Sequence, residues 1–182
     1  MTPRLTDTPV LTTERLMLRA PQASDFEVFA PFAMSERAQY VGGGADKDMG
    51  HAWRILAIIT GHWHLRGYGT FVYVDKATGT PIGSAGPWHP GDWPEKELGW
   101  TVWTSAAEGK GYAFEAVTEL RRHAYADLGW DTAVSYIDAR NTRSLALATR
   151  LGCWHDKTAV KPDREEDIQV WRHPAPSEVL AA

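Results

Sequence analysis

The residues best suited to chemistry lie in the run Glu108-Gly109-Lys110-Gly111-Tyr112-Ala113. It stands at the start of an amphipathic helical pattern, Ala113, Ala116, Val117, Leu120, Ala124 and Leu128. A helix start presents backbone N–H groups without partners and about half a positive charge. Glycines there let the backbone approach an anion with no Cβ in the way, and Lys110 adds a full positive charge. This is the pattern of a phosphate or pyrophosphate cradle. A tight strand-to-helix turn uses the same glycines and stays open as the alternative. Competing motifs fail. Gly-Lys-Gly is followed by Tyr112, so it is not the Gly-Lys-Ser/Thr of a P-loop, and Phe114 occupies the third glycine position of a dinucleotide fingerprint. Gly67-Tyr-Gly69 fails the same way at Val72. No HExxH, CxxC or GxSxG occurs. His62 and His64, two apart on a helix, point away from each other rather than toward one metal ion.

The elements that must position this run follow from patterning. Glu14 to Arg19 alternates as a first strand, ended by Pro21. Ser24-Asp25-Phe26-Glu27 reads as a capping box opening a helix to about Met34. Gly42-Gly43-Gly44 is a break, after which Asp46 caps a second apolar helix ending near Arg66-Gly67. Thr70–Val74 and Ile82–Gly86 form a hairpin. Pro87 to Pro94 is too rich in proline to pair in a sheet. Glu97 to Trp103 is a strand, 111–128 a helix closed by Gly129, and Thr132 to Ile137 a strand. Asn141 caps a last helix, Thr142 to Leu151, which Gly152 terminates. Cys153–Asp156 and Ile168–Trp171 close the fold, with the acidic run Asp163–Asp167 between them as a solvated turn. The result is α/β with a mixed sheet and one domain over residues 1–182. If strands 97–103 and 132–137 pair in parallel, a right-handed crossover sets their carboxyl ends on one sheet edge, where ligands bind. The glycine run meets Asn141 and Ser144 at that edge.

Composition narrows the classes. The chain has 182 residues, 43% of them hydrophobic, so a core is affordable in one domain and wholesale disorder is excluded. A net charge of -4 argues against life on nucleic-acid phosphates. One cysteine, Cys153, precludes an intramolecular disulfide framework and fits a reducing compartment. Met1-Thr-Pro-Arg-Leu5 lacks a signal peptide's apolar stretch, and Trp53 to Leu65 is too short and polar to span a bilayer. A soluble cytoplasmic protein is expected. Nine tryptophans are many for this length; Trp63, Trp88, Trp93 and Trp100 either wall a cleft or pack the core.

The run 108–113 resembles the acetyl-CoA loop of the GNAT N-acetyltransferases, [Q/R]-x-x-G-x-[G/A]. Asn141-Thr-Arg-Ser144, leading into Leu151-Gly152, resembles their following N-x-x-S helix. Leu11-Thr-Thr-Glu-Arg-Leu-Met-Leu-Arg19 and Glu97-Leu-Gly-Trp100 are similar to the ribosomal-protein N-terminal alanine and serine acetyltransferases. The resemblance runs from about Leu11 to Trp171. It implies a mixed, mostly antiparallel central sheet with a splayed parallel pair, flanked by helices on both faces. It implies acetyl-CoA as co-substrate and no metal. Glu108, Gly109, Lys110, Gly111, Tyr112 and Ala113 would hold the coenzyme with Asn141 and Ser144, its pyrophosphate on the N–H groups of 109–113. The pantetheine arm would pair with backbone near Val102 and Trp103, where an N–H would stabilise the oxyanion. Ser144 would hydrogen-bond the leaving sulfur, and Glu97 would be the base. His89 and Asp138 are further candidates for the base. The resemblance implies a primary-amine acceptor, on a peptide N-terminus or a small molecule, and a homodimer as a possible assembly; no nucleic acid or membrane partner is expected. A non-catalytic CoA-binding module is the alternative. Two departures stand out: Glu108 where Gln or Arg is usual, and Cys153 in place of the usual Phe after Leu-Gly.

Overall fold

The computed structural model describes residues 5–163 and 167–181. Its strands are β1 (Leu11–Thr12), β2 (Leu16–Arg19), β3 (Phe71–Asp75), β4 (Thr80–Trp88), β5 (Glu97–Val102), β6 (Val134–Asp138), β7 (Trp154–His155) and β8 (Ile168–Arg172). They form one sheet in the order β1-β2-β3-β4-β5-β6-β8-β7. Neighbours are antiparallel except β5 and β6, which are parallel and bridge at Glu97 opposite Val134. The mixed, mostly antiparallel sheet with one parallel pair is therefore as expected.

Side-chain chemistry explains why β5 and β6 part. Val134 N–H donates to Lys96 O at 3.0 Å, a normal ladder bond. The next carbonyl on that side, Leu98 O, accepts instead from the Ser135 hydroxyl at 2.6 Å. A hydroxyl thus takes the place of a backbone donor, and no further bridge joins the two strands among the described residues. The gap opens toward their carboxyl ends.

Helices α1 (Phe26–Ala33), α2 (Met49–Arg66), α3 (Tyr112–Ala126), α4 (Thr142–Arg150) and α5 (Pro176–Leu180) complete the order. Alternation along β3 assigns the two faces. Phe71 and Tyr73 pack with Ala116, Val117 and Leu120 of α3 and with Ala148 of α4, in a core that includes Cys153. Val72 and Val74 pack with Phe29 and Phe32 of α1 and with Ala52 and Leu56 of α2.

Several local expectations change. The first helix is entered through a 3-10 turn, Ala23–Asp25, and Asp25 rather than Ser24 supplies the bond, its Oδ2 accepting from Gln22 N–H at 2.7 Å. Asp25 is drawn inward by Arg19, whose guanidinium donates to both carboxylate oxygens at 2.8 and 2.6 Å. Asp48, not Asp46, caps α2, accepting from His51 N–H at 2.7 Å. Pro87 lies inside β4, opposite Leu98. It is tolerated because β3 ends at Phe71, opposite Ala85, so no second ladder needs its missing donor. Strand β1 and helix α5 are additional elements. The turn expected over Asp163–Asp167 falls on residues 164–166, outside the described residues.

Candidate active site

The glycine run forms the bend between β5 and α3. Gly111 is the N-cap of α3, with φ +81°, and no side chain caps the helix start. The N–H groups of the first turn therefore lack the usual intramolecular cap. Gly109 is also left-handed, at φ +72°. A Cβ added at Gly109 would meet nothing within 4 Å, and at Gly111 just Arg15 Nη2 at 3.6 Å. The space over both glycines is open, as a backbone anion cradle requires.

Arg15, ahead of β2, straps this loop in place. Its Nη1 donates to Lys110 O at 2.9 Å, its Nε to Glu115 at 2.6 Å, and its guanidinium lies 4.4 Å from the Tyr112 ring centre. Glu115 also accepts from the Thr13 hydroxyl at 2.5 Å and from Arg15 N–H at 2.8 Å. Burial works to raise the Glu115 pKa, but these donors outweigh it and hold the carboxyl below its ordinary value. Beside the loop lies an open cleft of about 640 Å³ lined by the cations Arg15, Lys110 and Arg150, by Glu14, Glu115 and Glu119, and by Thr13, Phe114 and Thr118, with Glu115 already paired to Arg15. The Arg150 guanidinium sits 4.1 Å from the Phe114 ring centre. Backbone donors, Lys110, Arg15 and Arg150 make this corner chemically suited to a diphosphate.

Glu108 does not project into the cradle. Its Oε1 accepts from Arg37 Nε at 2.7 Å and Nη2 at 2.5 Å, and its Oε2 from Arg143 Nη1 at 2.7 Å. Arg37, in the 3-10 turn Glu36–Ala38, also donates to Val102 O and Trp103 O at 2.8 Å each. Trp103 N–H is committed to Ile82 O of β4 at 2.9 Å. Of the two residues expected to meet the pantetheine arm, Trp103 therefore has its amide in the sheet. Strand alternation turns the backbone of Val102 toward the gap.

Across the gap, Asn141 Oδ1 accepts from Ser144 N–H at 3.2 Å and caps α4. The Ser144 hydroxyl accepts from Trp100 Nε1 at 3.2 Å, which leaves its own proton available to donate. Trp100 shares the α3 face of the sheet, while Trp63 is buried against Phe71. Neither walls a cleft with the other two tryptophans.

Those two stand with Glu97. Leu98 packs with Ala124 and Tyr125 of α3, so Glu97 points to the opposite face, beside its register partner Trp88. Trp93 Nε1 donates to Glu97 Oε2 at 2.6 Å. The Trp93 ring is nearly perpendicular to Trp88 at 6.5 Å and to Tyr136 at 6.3 Å. The 87–96 loop is pinned by Arg172, which donates to both Glu95 oxygens at 2.8 and 2.9 Å. His62 stacks on Trp88 at 4.5 Å and accepts His89 N–H on Nε2 at 3.0 Å, so it holds its proton on Nδ1 toward Tyr68 O. Burial lowers the pKa of both His62 and His89. Asp138 is engaged by Arg140 through Nη2 at 2.7 Å and Nε at 3.0 Å, which hold its carboxyl below the ordinary range. Among the described residues no group of three or more His, Cys, Asp or Glu is arranged to hold a metal ion. No helix there is long and apolar enough to cross a membrane.

A splayed parallel pair with an uncapped glycine turn at its mouth is the architecture of an acyl-coenzyme A acetyltransferase fold. Residues 15–153 match the acetyltransferase (GNAT) domain, and the chain belongs to that family. It is similar to an acetyltransferase from Agrobacterium tumefaciens, with 35% identity over 96% of this chain and 99% of that one, at a TM-score of 0.84. Two more distant structures share the fold. A ribosomal-protein-S5-alanine acetyltransferase from Vibrio fischeri has 17% identity over 93% of this chain and 98% of that one (TM-score 0.68). A spermidine N-acetyltransferase from Vibrio cholerae, in complex with CoA and spermine, has 16% over 92% and 99% (TM-score 0.71). The likeness extends to several branches of the family and does not single out the ribosomal-protein one.

Proposed function

We propose that this chain is a single-domain, acetyl-CoA-dependent N-acetyltransferase that moves acetyl to a primary amine by direct attack. The observation that carries this is the β5–β6 gap with the open Gly109–Gly111 bend at its mouth. Bound acetyl-CoA would supply the acyl group as a thioester. Backbone N–H groups of 109–113, with Lys110, would hold its diphosphate, and Val102, whose carbonyl is taken by Arg37, would offer its N–H to the arm. Glu97 lies five residues, about 17 Å, upstream of Val102 along β5. An arm extended through the gap therefore carries its sulfur toward Glu97.

Glu97 and Ser144 approach the gap from opposite faces, and this assigns their roles. Glu97, from the α1–α2 face, takes the proton of the incoming ammonium. Ser144, from the α3–α4 face, donates to the departing sulfur. A peptide N-terminus, with pKa ~7.7–8, needs about 1 kcal/mol for deprotonation at neutral pH, whereas a lysine side chain near ~10.4 needs about 5. One carboxylate suits the first better, and we favour a peptide N-terminus in the manner of the ribosomal-protein acetyltransferases, in the cytoplasm.

The test is a thermal melt with CoA followed by acetyl-CoA turnover over peptide N-termini, polyamines and amino acids. Stabilisation by CoA with turnover on an N-terminal peptide is expected. An unchanged melt at millimolar CoA refutes the coenzyme reading. Tight CoA binding with no turnover on any amine makes the protein a binding module instead.

A further inference from the structure

We propose that Arg143 is a contact for the coenzyme's diphosphate and that Glu108 is the residue that positions it. The inference rests on the acetyl-CoA reading above and goes beyond it to residues outside the glycine turn. A glutamate beside a phosphate cradle is repulsive if its charge is free. Here both oxygens of Glu108 are occupied, one by Arg37 and the other by Arg143. Two guanidinium groups around one carboxylate leave the cluster with a net positive charge. The loop thus regains the positive charge that an Arg at this position would supply.

The two arginines differ in what they can still do. Arg37 is fastened by bonds to Glu108, Val102 O and Trp103 O and faces the Phe32 ring at 5.3 Å. It is a structural partner that fixes the end of β5. Arg143 is bonded through Nη1, and its side chain is 80% exposed. No other bond of Arg143 occurs among the described residues, so Nε and Nη2 remain to donate. It lies in the first turn of α4, between Asn141 and Ser144, on the bank of the gap opposite Glu108. The Glu108–Arg143 bond therefore holds a half-used guanidinium at the mouth of the gap, beside the first glycine of the turn on which the diphosphate would rest. Fork-shaped donors at such a point match phosphate oxygens.

The experiment is a titration calorimetry cycle with CoA on the parent chain, Arg143→Gln, Glu108→Gln and the double variant. Binding of pantetheine, which has no diphosphate, is followed alongside by ligand-observed NMR. Arg143→Gln is expected to weaken CoA about tenfold, the worth of one charge-assisted hydrogen bond. It should change pantetheine binding less than twofold and flatten the salt dependence of CoA binding. Glu108→Gln should weaken CoA about threefold although it removes a negative charge, and the double variant should be no worse than Arg143→Gln. Because Arg143 is exposed, the melting temperature without ligand should hold for its variant. An Arg143→Gln chain that binds CoA as the parent does, or an equal loss for pantetheine, overturns the proposal. So does a Glu108→Gln chain that binds CoA more tightly than the parent. A parent chain that does not bind CoA refutes the coenzyme reading itself, and this proposal with it.

Discussion

Gly111→Ala separates the coenzyme role of the loop from its structural role. Gly111 has φ +81°, and an added Cβ would meet Arg15 Nη2 at 3.6 Å, an ordinary contact. Steric clash is therefore absent from the cost, which reduces to holding an L-residue in the left-handed region, about 1–2 kcal/mol. For a chain of this size that lowers the melting temperature by about 2–8 °C. The methyl group would also stand over the cradle and displace a phosphate oxygen from at least one backbone N–H. A charge-assisted bond of that kind is worth about 1.5–3 kcal/mol, so CoA should bind about 10–150-fold more weakly. Gly67→Ala is the control: Gly67 ends α2 at φ +75°, and a Cβ there meets nothing within 4 Å. It should cost similar stability and leave CoA affinity alone. Thermal melts without ligand and calorimetry with CoA read both quantities. If the Gly111 variant keeps CoA affinity within twofold, or the Gly67 variant loses as much, the anion-cradle argument is wrong.

Two further outcomes follow from the site and the core. Glu97→Gln should lower turnover on an α-amine by about a hundredfold at pH 6.5 and much less at pH 9, where the amine is already free; an equal loss at both pH values would sink the base assignment. His173 is 2% exposed, its Nε2 bonded to Ser135 Oγ at 2.9 Å and its Nδ1 without a partner among the described residues. Burial, helped by Arg121, pushes its pKa down to about 3. Below its unfolded value near ~6.5 the denatured chain binds a proton that the native chain refuses. Stability is full above that pH and falls by about 1.4 kcal/mol per unit as pH drops toward the folded pKa. Urea midpoints at pH 6.5 and 5.5 should show His173→Asn losing about 1 kcal/mol less than the parent over that interval, since the denatured imidazole is still half neutral at pH 6.5; identical slopes would show that His173 titrates normally.

What could be read from the chain follows the range of each interaction. The α3 stripe, the Gly111 bend and the Asn141 cap were legible because each is decided within one helical turn. The parallel pairing of β5 and β6 was legible from the crossover rule, but the cause of their parting, Ser135 reaching Leu98 O, lies between residues 37 positions apart. Arg15, Arg37 and Arg143 escaped notice for the same reason. Their partners Glu115 and Glu108 are 100, 71 and 35 positions away. The motif Asn141-Thr-Arg-Ser144 carried Arg143 in plain view, yet its spacing says nothing of what the side chain meets. Asp25 and Asp48 displaced the caps expected at Ser24 and Asp46. In the first case a buried pair with Arg19 outweighed the local signal. The tryptophans divided by sheet face, and a face is fixed by strand register, which single-strand alternation does not supply.

Cys153 carries a consequence for measurement. It is 7% exposed, and burial, opposed by Arg121, lifts its thiol pKa to about 12. At neutral or mildly alkaline pH the native chain therefore presents almost no thiolate to disulfide-exchange dyes. A colorimetric count of sulfhydryls during turnover will register liberated coenzyme against a nearly silent protein background, and a rise in the absence of acetyl-CoA will announce unfolding.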